Sequence, residues 1–184
     1  MVYTGPLKDE PISVELHNTL YAMGGVRHDG LSEAWLEALG DRLPAAGAGP
    51  WPGRDELVAL RDAIRSALQA AVLGTPPDAA ALDAINRASA GAPRSPAVVR
   101  SPGGDLVAGT EHHGASRARI VVAAFARDAI DLLTGTQAGD LRACGAPGCI
   151  LLFVKDHPRR EWCSNACGNR ARQARHYERV RQRR

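Results

Sequence analysis

The chain has two lysines against 21 arginines, and it has no cysteine outside one short C-terminal window. No run approaches about 18 consecutive apolar residues, and the alanine-rich stretches are cut by charges, glycine and proline, so no membrane span is expected. The opening MVYTGPLKDEP lacks a basic stretch leading into an apolar run and does not read as a secretory leader; the expected location is the cytoplasm. There is no glycine-rich phosphate loop, nucleophile elbow or His-Glu-x-x-His helix, so an enzyme is not expected. Acidic residues nearly vanish from the C-terminal end. Residues 1–140 carry 12 Lys/Arg against 17 Asp/Glu, a balance of −5, whereas residues 141–184 carry 11 against 3, a balance of +8. A basic end of this kind attracts polyanions.

The four cysteines, Cys144, Cys149, Cys163 and Cys167, lie within 24 residues as two close pairs joined by a short arm. At that spacing four thiolates can close a tetrahedron around one Zn²⁺. In a reducing compartment such a quartet is a metal site rather than a pair of disulfides. Four sulfurs complete the shell and leave no position for water, so the zinc is expected to be structural. Cys144-Gly-Ala-Pro-Gly-Cys149 reads as a knuckle, its glycines freeing the backbone and its proline stiffening the turn. Cys163-Ser-Asn-Ala-Cys167 is expected to open a helix with Ser164 as N-cap, and Ile150 to Val154 to form a short strand between the pairs. His157 in the arm reads as an exposed loop residue, and Trp162 as packing on the small core of the finger.

Beyond Cys167 the chain runs Gly-Asn-Arg-Ala-Arg-Gln-Ala-Arg-His-Tyr-Glu-Arg-Val-Arg-Gln-Arg-Arg. At about 100° per residue, Arg172, Arg175, Arg179 and Arg183 fall on one helical face with His176 at its edge. The local loss of acidic residues favours phosphate contact over a solvated tail. Arg159 and Arg160 are candidates for a second phosphate clamp. Asn169 reads as bracing the knuckle, and Arg170 is open between bracing and nucleic-acid contact.

The preceding part reads as mainly helical. Pro11 to Met23 is an apolar element of ambiguous type ending at Gly24-Gly25; Ser32 caps a helix over Glu33 to Leu39; Pro44 to Gly53 is a loop. Leu57, Leu60, Ile64, Leu68 and Val72 mark a long helix from Asp55 to Leu73, stopped by Gly74. Asp78 caps a short helix, residues 97–109 suggest a β-hairpin around Ser101-Pro-Gly-Gly104, and Ser116 to Thr134 is a second long helix. Glu15, His17, Asn18 and Thr19 are polar groups on an otherwise apolar element. They are candidates for a ligand pocket, with a buried hydrogen-bond network or an exposed helix face as the equal alternative. His112-His113 reads as loop rather than a metal pair, because adjacent side chains diverge.

Leu141-Arg-Ala-Cys144, Pro-Gly-Cys149, Phe153, Trp162-Cys163-Ser164 and Cys167-Gly168-Asn169-Arg170 together resemble the CGNR zinc-finger family, named for that last tetrad. The segment Glu15-Leu16-His17-Asn18-Thr19, with Trp35-Leu36 and Leu60-Arg61, resembles the ABATE domain that usually precedes that finger, where Glu15 stands in place of an aspartate. The arm between the cysteine pairs and the gap within Cys163…Cys167 are slightly shorter than the family pattern. The resemblance implies a stress-related bacterial transcription regulator with a DNA-binding finger.

The expected fold is therefore α+β, mainly α. A helical domain with a small β-hairpin spans 1–138, for ligand sensing or dimerisation, and a treble-clef-like or ribbon-helix zinc finger with a basic helix spans 139–184. DNA is the expected partner, with a small-molecule effector and a second copy of the chain as further candidates, since one finger offers little reading surface. The competing expectations are a zinc-stabilised protein-interaction module and a small-molecule-binding body without nucleic acid.

Overall fold

A computed structural model describes residues 9–44 and 49–182; of the expected loop and the expected arginine face, residues 45–48 and Arg183 lie outside the described residues. The chain opens with α1 (Ile12–Asn18) and a hairpin of β1 (Leu20–Met23) and β2 (Val26–Asp29). Helices α2 (Glu33–Leu39), α3 (Arg54–Leu73) and α4 (Ala79–Ala90) follow, then a ribbon of β3 (Ser95–Arg100) and β4 (Leu106–Glu111), and α5 (Arg117–Thr134). A 3-10 turn at Thr136–Asp140 leads into β5 (Leu141–Ala143), β6 (Leu152–Val154) and α6 (Asn165–Arg181). Each strand pair among the described residues is an antiparallel two-stranded sheet, so the architecture is mainly α with small β-hairpins.

Local signals account for most helix ends. The Ser32, Asp78, Ser116 and Ser164 side chains each accept a hydrogen bond from the third backbone N–H beyond them. Gly74 closes α3 in the left-handed region at φ 66°. The segment Pro11 to Met23, ambiguous in sequence, divides into helix and strand. Its alternating Ile12, Val14 and Leu16 suggest a strand, yet every residue from Ser13 to Asn18 is buried, so no polar face marks the helical period. Its start is capped from afar, since Ser13 donates from its N–H at 2.8 Å and from its hydroxyl at 2.6 Å to Asp128 Oδ2 on α5. Gly24 and Gly25, at φ 60° and 81°, form a two-residue turn, so the glycine pair read as an end is a hairpin tip.

The main core lies between α1, α2, α3, α4 and α5, where Trp35 stacks on Phe125 with ring centroids 5.6 Å apart. Leu141, Leu152 and Val154 of the β5–β6 hairpin belong to this same apolar cluster. A second cluster is built from Cys144, Ala146, Leu151, Phe153, Cys163, Cys167 and Ala171, and Tyr21 of β1 packs against it.

Candidate metal centre and basic helix

The β5–β6 hairpin encloses the knuckle. Cys144 N–H donates to Leu151 O at 2.9 Å and Cys149 N–H to Ala146 O at 3.0 Å, while Gly148 adopts φ 72° to turn the chain back. Cys163 and Cys167 come from the start of α6, where Ser164 Oγ accepts from Cys167 N–H at 3.3 Å. The four sulfurs lie within 4.8 Å of one another, and none is in a disulfide. Four thiolates at about 2.3 Å from a tetrahedral zinc stand about 3.8 Å apart. The separations are 3.9 Å for Cys149–Cys163, 3.8 Å for Cys149–Cys167 and 3.5 Å for Cys163–Cys167, close to that spacing, and all four sulfurs lie near enough to close on one ion. Hydrogen bonds from Cys149 and Cys163 hold the Cys144 thiol far below its ordinary range, and the same contacts push Cys163 far above its own. A bound cation takes the place of those shared protons. With four sulfurs around it the zinc is structural.

Around the sulfurs, Cys163 N–H points at Cys144 Sγ at 3.5 Å and Arg170 Nη2 at Cys167 Sγ at 3.3 Å. Arg170, left open in the sequence, therefore braces the centre. Asn169, read as the brace, instead accepts from Arg172 Nη2 at 2.5 Å. A Cβ on Gly168 would lie 3.1 Å from Trp162 Cε3, so the glycine admits the indole against the first turns of α6. Trp162 packs on the finger core as expected.

The outer edge of β6 faces α1, and each of its backbone groups finds a side chain. Asn18 Nδ2 donates to Leu152 O at 2.9 Å, and Leu152 N–H donates back to Asn18 Oδ1 at 3.0 Å. Val154 N–H donates to Glu10 Oε2 at 2.8 Å, and Val154 O accepts from Arg160 Nη1 at 3.0 Å. Arg160 Nη2 also meets Glu10 Oε1 at 2.5 Å and Cys163 O at 3.4 Å, and its guanidinium sits over the Phe153 ring. Arg160 is thus tied into the fold, and with Arg159 it lines a cleft that Arg172 shares. Its side chain is 22% exposed and its charge is spent on a buried glutamate, because β6 needs an acceptor-to-donor chain along its edge. Burial pushes the Glu10 carboxyl above its ordinary range despite Val154 N–H and Arg160 pulling it down.

Glu15, His17, Asn18 and Thr19 are fully buried and serve as a hydrogen-bond network rather than the walls of an open pocket. Glu15 accepts from Glu10 N–H at 2.9 Å and from Arg42 at 3.2 Å. Thr19 accepts from Arg61 at 3.2 Å and donates to Leu16 O at 2.8 Å. His17 Nδ1 meets Asn18 Oδ1 at 3.0 Å, and among the described residues its Nε2 has no hydrogen-bond partner. Burial, with the nearby Arg65, pushes the His17 imidazole down to about 3. Elsewhere, His113 meets Ser95 Oγ at 2.8 Å in a turn, away from any metal cluster among the described residues.

On α6 the exposed side chains of Arg172, Arg175 and Arg179 line one shallow groove with Glu178 and Gln182. The guanidiniums of Arg172 and Arg175 stand 5.7 and 5.8 Å from the Trp162 ring. Arg159 is exposed and borders a second cleft that Arg172 shares with Ser164 and Asn165. The residues that sequence reasoning missed are Glu10, Arg42 and Tyr21. Their partners lie far along the chain, up to 150 residues away for Glu10 and Arg160, and no local spacing reveals such pairs.

Among the described residues no helix is long and apolar enough to cross a membrane. Residues 141–180 match the CGNR zinc finger, and residues 10–136 match ABATE, described as "putative stress-induced transcription regulator". Neither description is of an enzyme family. A comparison with curated proteins returned no match. The four-cysteine centre and these two adjoining matches agree: the chain belongs to the ABATE family and carries a zinc-binding CGNR finger.

Proposed function

We propose that the protein is a cytoplasmic DNA-binding transcription regulator in which zinc, held by Cys144, Cys149, Cys163 and Cys167, fixes α6 as the element that contacts duplex phosphates. The observation that carries this reading is the composition of α6. It holds five arginines and one glutamate, and Arg172, Arg175 and Arg179 line one exposed groove beside the metal centre. Arginine is suited to this task because its planar fork pairs with phosphate oxygens and stays charged. Arg172, Arg175 and Arg179 form the contacting set because they share that groove, with Arg159 at the neighbouring cleft and the exposed Arg170 as further candidates. The ABATE body carries a net −5 over residues 1–140, so it repels the duplex and directs contact to the C-terminal end.

Fluorescence anisotropy of the zinc-loaded chain with a short random-sequence duplex tests the reading, with an Arg172→Ala/Arg175→Ala/Arg179→Ala variant alongside. Binding that is lost in the variant while its melting temperature is kept supports α6 as the contact. Equal binding by both proteins, or none at low salt, overturns it.

A further inference from the structure

The β1–β2 hairpin is held rigidly at its base and against the metal module, yet its tip is bare. At the base, the Asp29 carboxylate receives Arg61 at 2.7 Å and Arg54 at 2.9 Å, and Gly30 N–H donates to Thr19 O at 2.8 Å. Along its length Tyr21 stacks on His28 with centroids 5.2 Å apart, and Tyr21 packs on the cluster containing Cys144, Cys163, Cys167 and Ala171 of α6. Tyr21 thus ties the hairpin to the apolar cluster around the cysteines. At the tip, Met23 and Val26 flank Gly24-Gly25 and are 63% and 59% exposed. Between Glu15 and Asp29 the chain contains no acidic residue and one exposed arginine, Arg27, in a body that is otherwise net negative.

Accepting α6 as the DNA-contacting helix, we propose that this hairpin is a second DNA element, a wing that sets Arg27 on a phosphate and the Met23–Val26 tip against the minor groove. Apolar tips beside arginine suit that groove, because an uncharged side chain wedges against a base step while the cation follows the narrow, negative channel. Strands of four residues extend about 13 Å, long enough to carry the tip well beyond its anchored base. The duplex is favoured over other occupants by charge. The one carboxylate of the hairpin, Asp29, is paired with Arg54 and Arg61, which leaves the exposed Arg27 as its uncompensated charge in an otherwise acidic body.

Anisotropy titrations of the zinc-loaded full chain at several salt concentrations separate this wing from α6. Loss of one phosphate contact in Arg27→Ala is expected to reduce the slope of log affinity against log salt by about 0.9, which is about an eightfold loss at 0.1 M salt. Met23→Ser/Val26→Ser is expected to weaken binding with the slope kept, and to reduce the end-to-end energy transfer of a doubly labelled duplex that reports bending. All three side chains are exposed, so each variant is expected to melt with the unaltered protein. A photo-crosslinking residue at position 23 gives a second readout, capture of the duplex. Wild-type affinity and slope in both hairpin variants, alongside loss of binding in the α6 variant, overturns the wing and leaves the α6 reading standing. Altered self-association without altered DNA binding also overturns it, in favour of a contact between copies. No DNA binding by the unaltered protein removes both.

Discussion

Asn18 acts as a substitute strand neighbour. A carboxamide sets an N–H donor and an oxygen acceptor at the spacing of a peptide group, and it satisfies both the C=O and the N–H of Leu152 on the buried outer edge of β6. Asn18→Ala leaves two buried backbone groups without partners and is expected to cost about 2–4 kcal/mol in chemical denaturation. A cost below about 0.5 kcal/mol would contradict the role. His17 beside it is buried in its neutral form, with its imidazole pushed down to about 3 from the usual 6.5. The unfolded chain therefore binds a proton between those values that the folded chain refuses. The stability from a neutral His17 is complete above pH 6.5 and is lost as the pH falls from 6.5 toward 3. In urea titrations across that window, His17→Gln is expected to show a shallower fall, by up to about 1.4 kcal/mol per pH unit. Glu10 titrates in both proteins, so the difference between their slopes isolates the histidine. Parallel slopes would contradict this assignment. The polar set Glu15, His17, Asn18 and Thr19 was visible in sequence as an anomaly on an apolar element. Its purpose was not, because the partner of Asn18 is 134 residues away.

Elements were legible where their signals are local. Helix α3 follows from the spacing of Leu57, Leu60, Ile64 and Leu68, and α2, α4, α5 and α6 from caps that lie next to them. The hairpin β1–β2 was hidden because Gly24-Gly25 reads equally as a stop, and α1 because a helix buried on all sides shows no period. The knuckle and the ligand set were readable from cysteine spacing alone. The individual contacts of the arginines were not, since Arg160 reaches buried Glu10 and Arg170 a cysteine sulfur, while Arg172, Arg175 and Arg179 line one groove on α6. At this scale the finger depends on its ion. Reloading the chelated protein with Co²⁺ is expected to give the intense visible bands of tetrahedral thiolate coordination, with one ion bound per chain. Bands of an octahedral or mixed oxygen site would contradict the four-thiolate centre.

For the molecule as a whole, metal and body share a core. Leu141, Leu152 and Val154 come from the hairpin that carries the knuckle, yet they pack among Leu16, Leu60 and Phe125 of the ABATE part. Removing zinc with a chelator is therefore expected to lower the melting temperature of the entire chain in one transition, followed by far-ultraviolet circular dichroism. Two separate transitions, with the helical body unchanged by chelation, would contradict that coupling. Hydrogen bonds also join the body to the finger, through Asn18 and Glu10 to β6, and through Arg160 to the carbonyl of Cys163. The central claim, that α6 meets DNA phosphates through Arg172, Arg175 and Arg179, is tested most directly by the salt dependence of duplex binding. Three phosphate contacts give a slope of log affinity against log salt of about −2.7 or steeper, and substituting the three arginines with alanine is expected to bring it toward zero. A flat slope in the unaltered protein, or a steep one that survives the triple substitution, would contradict the account.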